Sequence, residues 1–160
     1  MSVRRAEGRD VTAMVELAEQ RRLHYQRYQP TFWRKAQDSR EQHIPFLESL
    51  LKCEDVLLLV HESAGEIDGF IIADFVAAPP VYNPGGPTCR VDDFCVAEES
   101  LWETVGRALL GEVLRLARAR GAAQSVVVCA HLDQPKRAML AQSGYSIASE
   151  WYVRDLSQLS

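Results

Sequence analysis

The stretch from Arg90 to Ala130 restricts the fold more than any other part of the chain. Arg90-Val91-Asp92-Asp93-Phe94-Cys95-Val96 has the length and apolar content of a strand. Thr104–Arg120 places Val105, Leu109, Val113, Leu116 and Ala117 on one helical face and turns Arg107, Arg115 and Arg118 elsewhere. Gly121 then offers the left-handed stop a helix end favours. Ser125-Val126-Val127-Val128-Cys129-Ala130 is a second buried strand. Strand, helix, strand over about forty residues is a βαβ unit, so the two strands are predicted to lie parallel.

The flanking segments extend this unit. Val3–Ala6 reads as a short edge strand, and Asp10 as the cap of a helix running to Tyr28, before Pro30. Ser39 is expected to cap a second helix over Arg40–Lys52, well formed from Pro45. Val56–Val60 is a continuous apolar run, and Ser63-Ala64-Gly65-Glu66 turns it back into Ile67–Val76 as a hairpin. Residues 77–87 hold four prolines and two adjacent glycines, so they form an irregular loop and a candidate substrate lip. A helix from Pro135 to Ser143 ends at Gly144, and Tyr145–Ala148 with Trp151–Leu156 is predicted to close the sheet as a hairpin.

Composition excludes several classes of function. At 160 residues the chain is expected to be one domain over 1–160, and 47% apolar with 25% charged residues is enough for a real core. Eighteen basic against 22 acidic residues give a net charge of −4, which argues against a nucleic-acid partner. The longest apolar runs are strand-sized, so no membrane span is expected. The first residues carry no apolar core after Arg4-Arg5, which predicts a cytoplasmic chain. Cys53, Cys89, Cys95 and Cys129 show no metal-ligand spacing, so no metal is expected and the thiols read as reduced.

The order β, α, α, β, β, β, α, β, α, β, β, with its local motifs, resembles the GNAT N-acetyltransferases over essentially the whole chain. Val3–Asp10 is similar to that family's first strand entering its first helix, and Val56–Phe70 to its hairpin. Val91–Val96, followed by Gly106-Arg107-Ala108-Leu109-Leu110, is similar to its coenzyme motif. Gln142-Ser143-Gly144-Tyr145 is similar to its ending. The resemblance implies an α/β fold: a mixed, mostly antiparallel sheet with a splayed parallel strand pair and helices on both faces. It also implies acetyl-CoA as co-substrate and a small-molecule or peptide amine as acceptor.

On this reading Phe94, Cys95, Val96 and Ala97 offer backbone groups to the pantetheine arm, and an amide near Phe94 or Cys95 holds the thioester oxygen. Thr104, Val105, Gly106, Arg107 and Ala108 form the helix start that binds pyrophosphate. Four positions depart from the family: Leu101 stands where arginine or glutamine is usual, Thr104 where the loop's first glycine is usual, Leu140 where a tyrosine usually protonates the thiolate, and Asp133 where asparagine is common. Tyr82 or Tyr145 is then the candidate acid, and Tyr145 also fits the family's packing aromatic. Asp92 and Asp93 alternate in direction along a strand, so one of them should face the cleft as base or amine attractor, unless both serve in solvent or salt bridges. His24, Tyr25, Tyr28, Phe32, Trp33 and His43 gather as an aromatic patch on the acceptor side, where Tyr28 and Trp33 are expected to line the acceptor pocket, or to cover the core or a homodimer contact. The leading expectation is direct N-acetyl transfer in a ternary complex. The alternatives are a GNAT-like acyl-CoA-binding or sensor module and an assembly subunit.

Overall fold

The structure, a computed structural model, describes residues 2–160. Its elements are β1 (Ser2–Arg5), α1 (Val11–Tyr28), α2 (Ser39–Leu51), β2 (Leu57–Ser63), β3 (Glu66–Val76), β4 (Thr88–Val96), α3 (Val105–Ala119), β5 (Gln124–Val127) and α4 (Gln134–Gln142). One sheet runs in the order β1-β2-β3-β4-β5, antiparallel throughout except for the parallel pair β4–β5. That pair is the predicted βαβ unit, with α3 as its crossover.

Side-chain alternation sends each strand's apolar residues to two cores. Leu58, Val60, Phe70, Ile72 and Cys95 pack under α1 and α2 with Met14, Val15 and Leu47. Leu57, Leu59, Ile71, Val91, Phe94 and Val96 pack under α3 and α4 with Leu109, Val113 and Met139. Each fully buried aliphatic or phenylalanine contributes about 1.5–3 kcal/mol, and both faces of β2 and β3 are covered, which explains their continuous apolar runs. Ala64 and Gly65 both take positive φ (51° and 82°), the geometry of a tight hairpin turn whose twist matches the strands.

Four local expectations need correction. Asp10 does not cap α1 with its side chain; its carboxylate takes the Glu7 amide at 2.7 Å and both Arg4 nitrogens at 2.8 and 3.0 Å, closing a 3-10 turn before the helix. The second helix begins at Ser39 and passes through Pro45, whose missing amide falls on the exposed face. β5 ends at Val127, not at Ala130. The closing hairpin is absent: residues 145–155 form no strand, and Trp151 is 84% exposed, resting edge-on against the Phe32 ring. Its linking residues, Ser149 and Glu150, lack the glycine or asparagine that a tight turn with positive φ favours, and an isolated two-stranded hairpin is marginal in water.

Candidate functional site

The sheet opens where β4 bulges. Ile71 pairs with Phe94 and Ala73 with Val91, so Asp92 and Asp93 together face Ile72 alone. The extra residue reverses the alternation, because Cys89 and Val91 before it, and Phe94 and Val96 after it, all enter the same core. Pairing with β5 stops at Val91–Val127, immediately before the bulge, and the two strands part from there.

Backbone direction in the opening follows from one hydrogen bond. The Ala97 amide donates to Asp68 O at 2.8 Å, so Ala97 and Cys95 turn their amides toward β3. Those two residues therefore do not offer amides to a ligand in the opening, contrary to expectation. Phe94 and Val96 alternate with them and face the opening. Only these two of the four expected backbone positions are suitably directed.

The opening brings together side chains from both faces of the sheet. Asp133 caps α4 and is fully buried; its Oδ2 accepts Arg21 Nη1 at 2.7 Å and the Tyr25 hydroxyl at 2.9 Å, both from α1. Burial and the Asp133 charge push the Tyr25 phenol far above its usual range. From α4, Lys136 Nζ donates to Phe94 O at 3.4 Å and lies 5.2 and 5.3 Å from the Phe94 and Trp102 ring centres. Trp102 packs edge-to-face on Phe94 with centroids 4.9 Å apart. Its Nε1 is the one fully buried side-chain nitrogen or oxygen without a partner among the described residues.

On the α1–α2 side the opening widens into a cavity of about 490 Å³, lined by Trp33, His43, Asp92, Asp93 and Lys136 among others. Arg22 Nη2 lies 3.1 Å from His43 Nδ1, and His43 Nε2 lies 3.1 Å from Asp93 Oδ2. A guanidinium can only donate, so Nδ1 accepts and the imidazole proton is assigned to Nε2, toward Asp93. Burial opposes the charge on Asp93, but the His43 bond and the nearby Arg22 and Lys136 cations outweigh it and hold its carboxyl below the usual range. Asp92 has no side-chain hydrogen bond among the described residues; burial and then the Asp93 charge push its carboxyl up. Both carboxylates reach the cavity because the bulge breaks strict alternation. The sequence expectation allowed only one.

The α3 start supplies unpaired first-turn amides by helix geometry. Thr104, Arg107 and Ala108 are exposed there, and Arg107 lies 3.9 Å from Glu103. Val105 and Gly106 are buried. A Cβ on Gly106 would stand 2.6 Å from Trp102 Cε3, so ring packing by itself requires glycine. Leu101 packs against the core beneath α3, which fixes it in place of the usual arginine or glutamine. The residues nevertheless fit a coenzyme arm: an open strand edge at Phe94 and Val96, an orphaned indole N–H, and a buried ammonium share the opening.

Tyr82 is misplaced as an acid. It is 72% exposed in the β3–β4 loop, beside Pro79 and Thr88 at the start of β4. Six residues separate Thr88 from Phe94, which is about 20 Å of strand. Tyr145 donates to Ser125 Oγ at 2.8 Å and packs against the core, as the family's aromatic does. Trp33 lines the cavity, whereas Tyr28 stacks behind Tyr25 and is not part of the wall. Sequence reading placed Tyr25 and His43 only in an aromatic patch and passed over Lys136, Trp102 and Arg22. The one available signal was Lys136 lying four positions before Leu140, on the same helical face. Among the described residues, no group of three metal-ligating side chains comes together, and no helix is long and apolar enough to cross a membrane.

Comparison with known proteins places this geometry. The model of the acetyltransferase (GNAT) family matches residues 14–145. No curated protein sequence matches the chain significantly. Among solved structures, a predicted acetyltransferase from Clostridium acetobutylicum, crystallised with acetyl-CoA, superposes with a TM-score of 0.74 at 16% identity, over 98% of this chain and 97% of that one. A mutant of a Bacillus halodurans protein gives 0.85 at 16% identity, over 98% and 99%. An aminoglycoside 6′-N-acetyltransferase from Acinetobacter haemolyticus gives 0.72 at 14% identity, over 98% and 99%. At these identities the likeness is one of fold.

Proposed function

The chain belongs to the GNAT acetyltransferase family, and from that premise we propose that it transfers an acetyl group from acetyl-CoA to the amine of a small molecule or peptide, directly, within a ternary complex. The observation that carries this reading is the opening itself: two parallel strands part at a bulge, and the bulge carries two carboxylates into a cavity large enough for an amine substrate. An amine acceptor is also what the name of the Acinetobacter neighbour states for that enzyme.

When bound, the coenzyme supplies an activated acyl thioester. Phe94 and Val96 would hold its arm through backbone groups, and the first turn of α3 would receive its phosphates. Asp93, fixed by His43 and Arg22, attracts the cationic acceptor and orients it. Asp92, unbonded and of raised proton affinity, removes the proton that the attacking nitrogen must lose. Direct transfer is favoured over an acyl-enzyme because the nearby thiols are poor nucleophiles: burial pushes Cys95 up to about 12 and Cys129 up to about 11, so neither is a thiolate at neutral pH.

A coenzyme-binding module without turnover is the second reading, favoured by Leu140 at the family's tyrosine position and by the side chains that fill the opening. Melting with and without acetyl-CoA tests occupancy, and thiol release across a panel of amines tests transfer. A melting shift with thiol release supports the transferase. A shift with none for any amine leaves the binding module, and no shift with acetyl-CoA removes both.

A further inference from the structure

Lys136 is 3% exposed, yet among the described residues it has no carboxylate within ion-pair distance. Among the described residues the only hydrogen bond of its ammonium goes to Phe94 O, the carbonyl that faces the opening. A buried cation without a counter-charge is costly, so the fold retains an electrostatic demand at this point. The surrounding groups meet it only in part, through the Phe94 and Trp102 rings and through the Asp133 and Asp93 charges beyond contact distance. Arg21 and Tyr25 of α1 are both engaged by Asp133; the thiols of Cys95 and Cys129 stay protonated; Asp93 is bonded to His43, and Asp92 lies out in the cavity.

We propose that the Lys136 ammonium faces the coenzyme's sulfur and donates a hydrogen bond to it as the acyl group leaves, in place of the tyrosine that Leu140 replaces. The proposal rests on the transferase reading above. An arm running along Phe94 and Val96 brings its thioester against Nζ, because Nζ already sits on the Phe94 carbonyl. In the step, the acceptor nitrogen's lone pair forms the C–N bond and the C–S electron pair passes to sulfur. The ammonium keeps its proton and stabilises the departing sulfur as a thiolate, which takes a proton from solvent on release. Asp92 takes the proton that frees the acceptor's lone pair, and the second nitrogen proton leaves through the cavity that Asp92 and Lys136 both line. Burial holds Lys136 below the usual lysine range, and a thiolate beside it would offset that cost.

The test uses the full chain with CoA and desulfo-CoA as probes and needs no acceptor. The thiolate absorbance of bound CoA, taken as the difference from desulfo-CoA, is followed against pH, and melting shifts report binding separately. In the wild type the bound thiol should titrate at least about one pH unit below free CoA, a tenfold change in proton affinity. In Lys136→Met it should return to the free value while CoA still raises the melting temperature. If CoA shifts melting but its thiol titrates like free CoA in the wild type, Lys136 does not face the sulfur, although the coenzyme reading stands. If CoA produces no melting shift in the wild type, both readings fall. The wild-type titration decides the point even if the variant does not fold.

Discussion

Arg21 Nη1 and Asp133 Oδ2 lie 2.7 Å apart inside the opening of the sheet, the guanidinium arriving from α1 on one face and the carboxylate from the cap of α4 on the other. The ion pair therefore ties the two helical layers together where no strand does so. Asp133 also accepts the Tyr25 hydroxyl and the Lys136 amide. Asp133→Ala would leave Arg21 beside Lys136 with no carboxylate between them, and breaking a buried pair costs about 3–5 kcal/mol. Asp133→Asn keeps acceptors for the cap and the phenol and should cost about 1–3 kcal/mol. Urea unfolding of both variants checks the order; equal losses would mean that the charge carries the whole effect and the retained acceptors add little.

Gly106 and Trp102 make a second prediction. Because a Cβ on residue 106 meets the indole at 2.6 Å, Gly106→Ala should destabilise by about 1–3 kcal/mol through overpacking. Trp102→Leu in the same chain should relieve that clash, so the double variant loses less than the sum of the two singles. Additive losses in thermal melts would show that the two positions do not touch. An acetyl-CoA melting shift retained in the double variant would further show that glycine serves packing here rather than phosphate.

Much of the framework was legible because it rests on periodicity. The apolar runs of β2, β3 and β4, and the single apolar face of α3, could be read directly, and the positive φ of Gly121 and Gly144 matches the helix ends inferred from those glycines. What escaped depends on long-range geometry. A bulge at Asp92 and Asp93 leaves no local trace, because its cause is the register of Ile71 and Ala73 on another strand. His43 and Asp93 are fifty positions apart and meet only once α2 packs across the sheet. Lys136 reads as a surface residue of a short helix until the parting of β4 and β5 gives its stem somewhere to go. Trp151 and Ile147 looked like strand residues by propensity, yet no paired edge receives them.

Asp10 sets an acid-stability prediction. Its bonds from Arg4, against the cost of burial, hold the carboxyl below the usual aspartate range in the folded chain. The unfolded chain has the ordinary value of about 3.9. A depressed folded value stabilises the fold above the unfolded value, and that contribution fades as pH falls through the folded one. Asp10→Asn should therefore be less stable than wild type at neutral pH and converge with it in acid. The check is melting temperature against pH. A constant gap down to the lowest accessible pH would mean that packing at Asp10, and not its charge, stabilises the turn.

The two bulge carboxylates should separate kinetically. Asp92 is free and raised, so on the transferase reading it is the base, and Asp92→Asn should lower kcat about 10²–10⁴-fold. The wild-type rate should rise with pH through the Asp92 titration, since only the carboxylate accepts a proton, and this acid limb should vanish in the variant. Asp93 is held ionised by His43 and positions the acceptor, so Asp93→Asn should act mainly on KM for the amine and keep the limb. His43→Gln should resemble Asp93→Asn, because its effect passes through the same bond. Profiles of kcat and kcat/KM with one amine across pH distinguish the roles. If Asp93→Asn erases the acid limb while Asp92→Asn leaves it intact, the assignments must be exchanged, and the bonded carboxylate rather than the free one removes the proton.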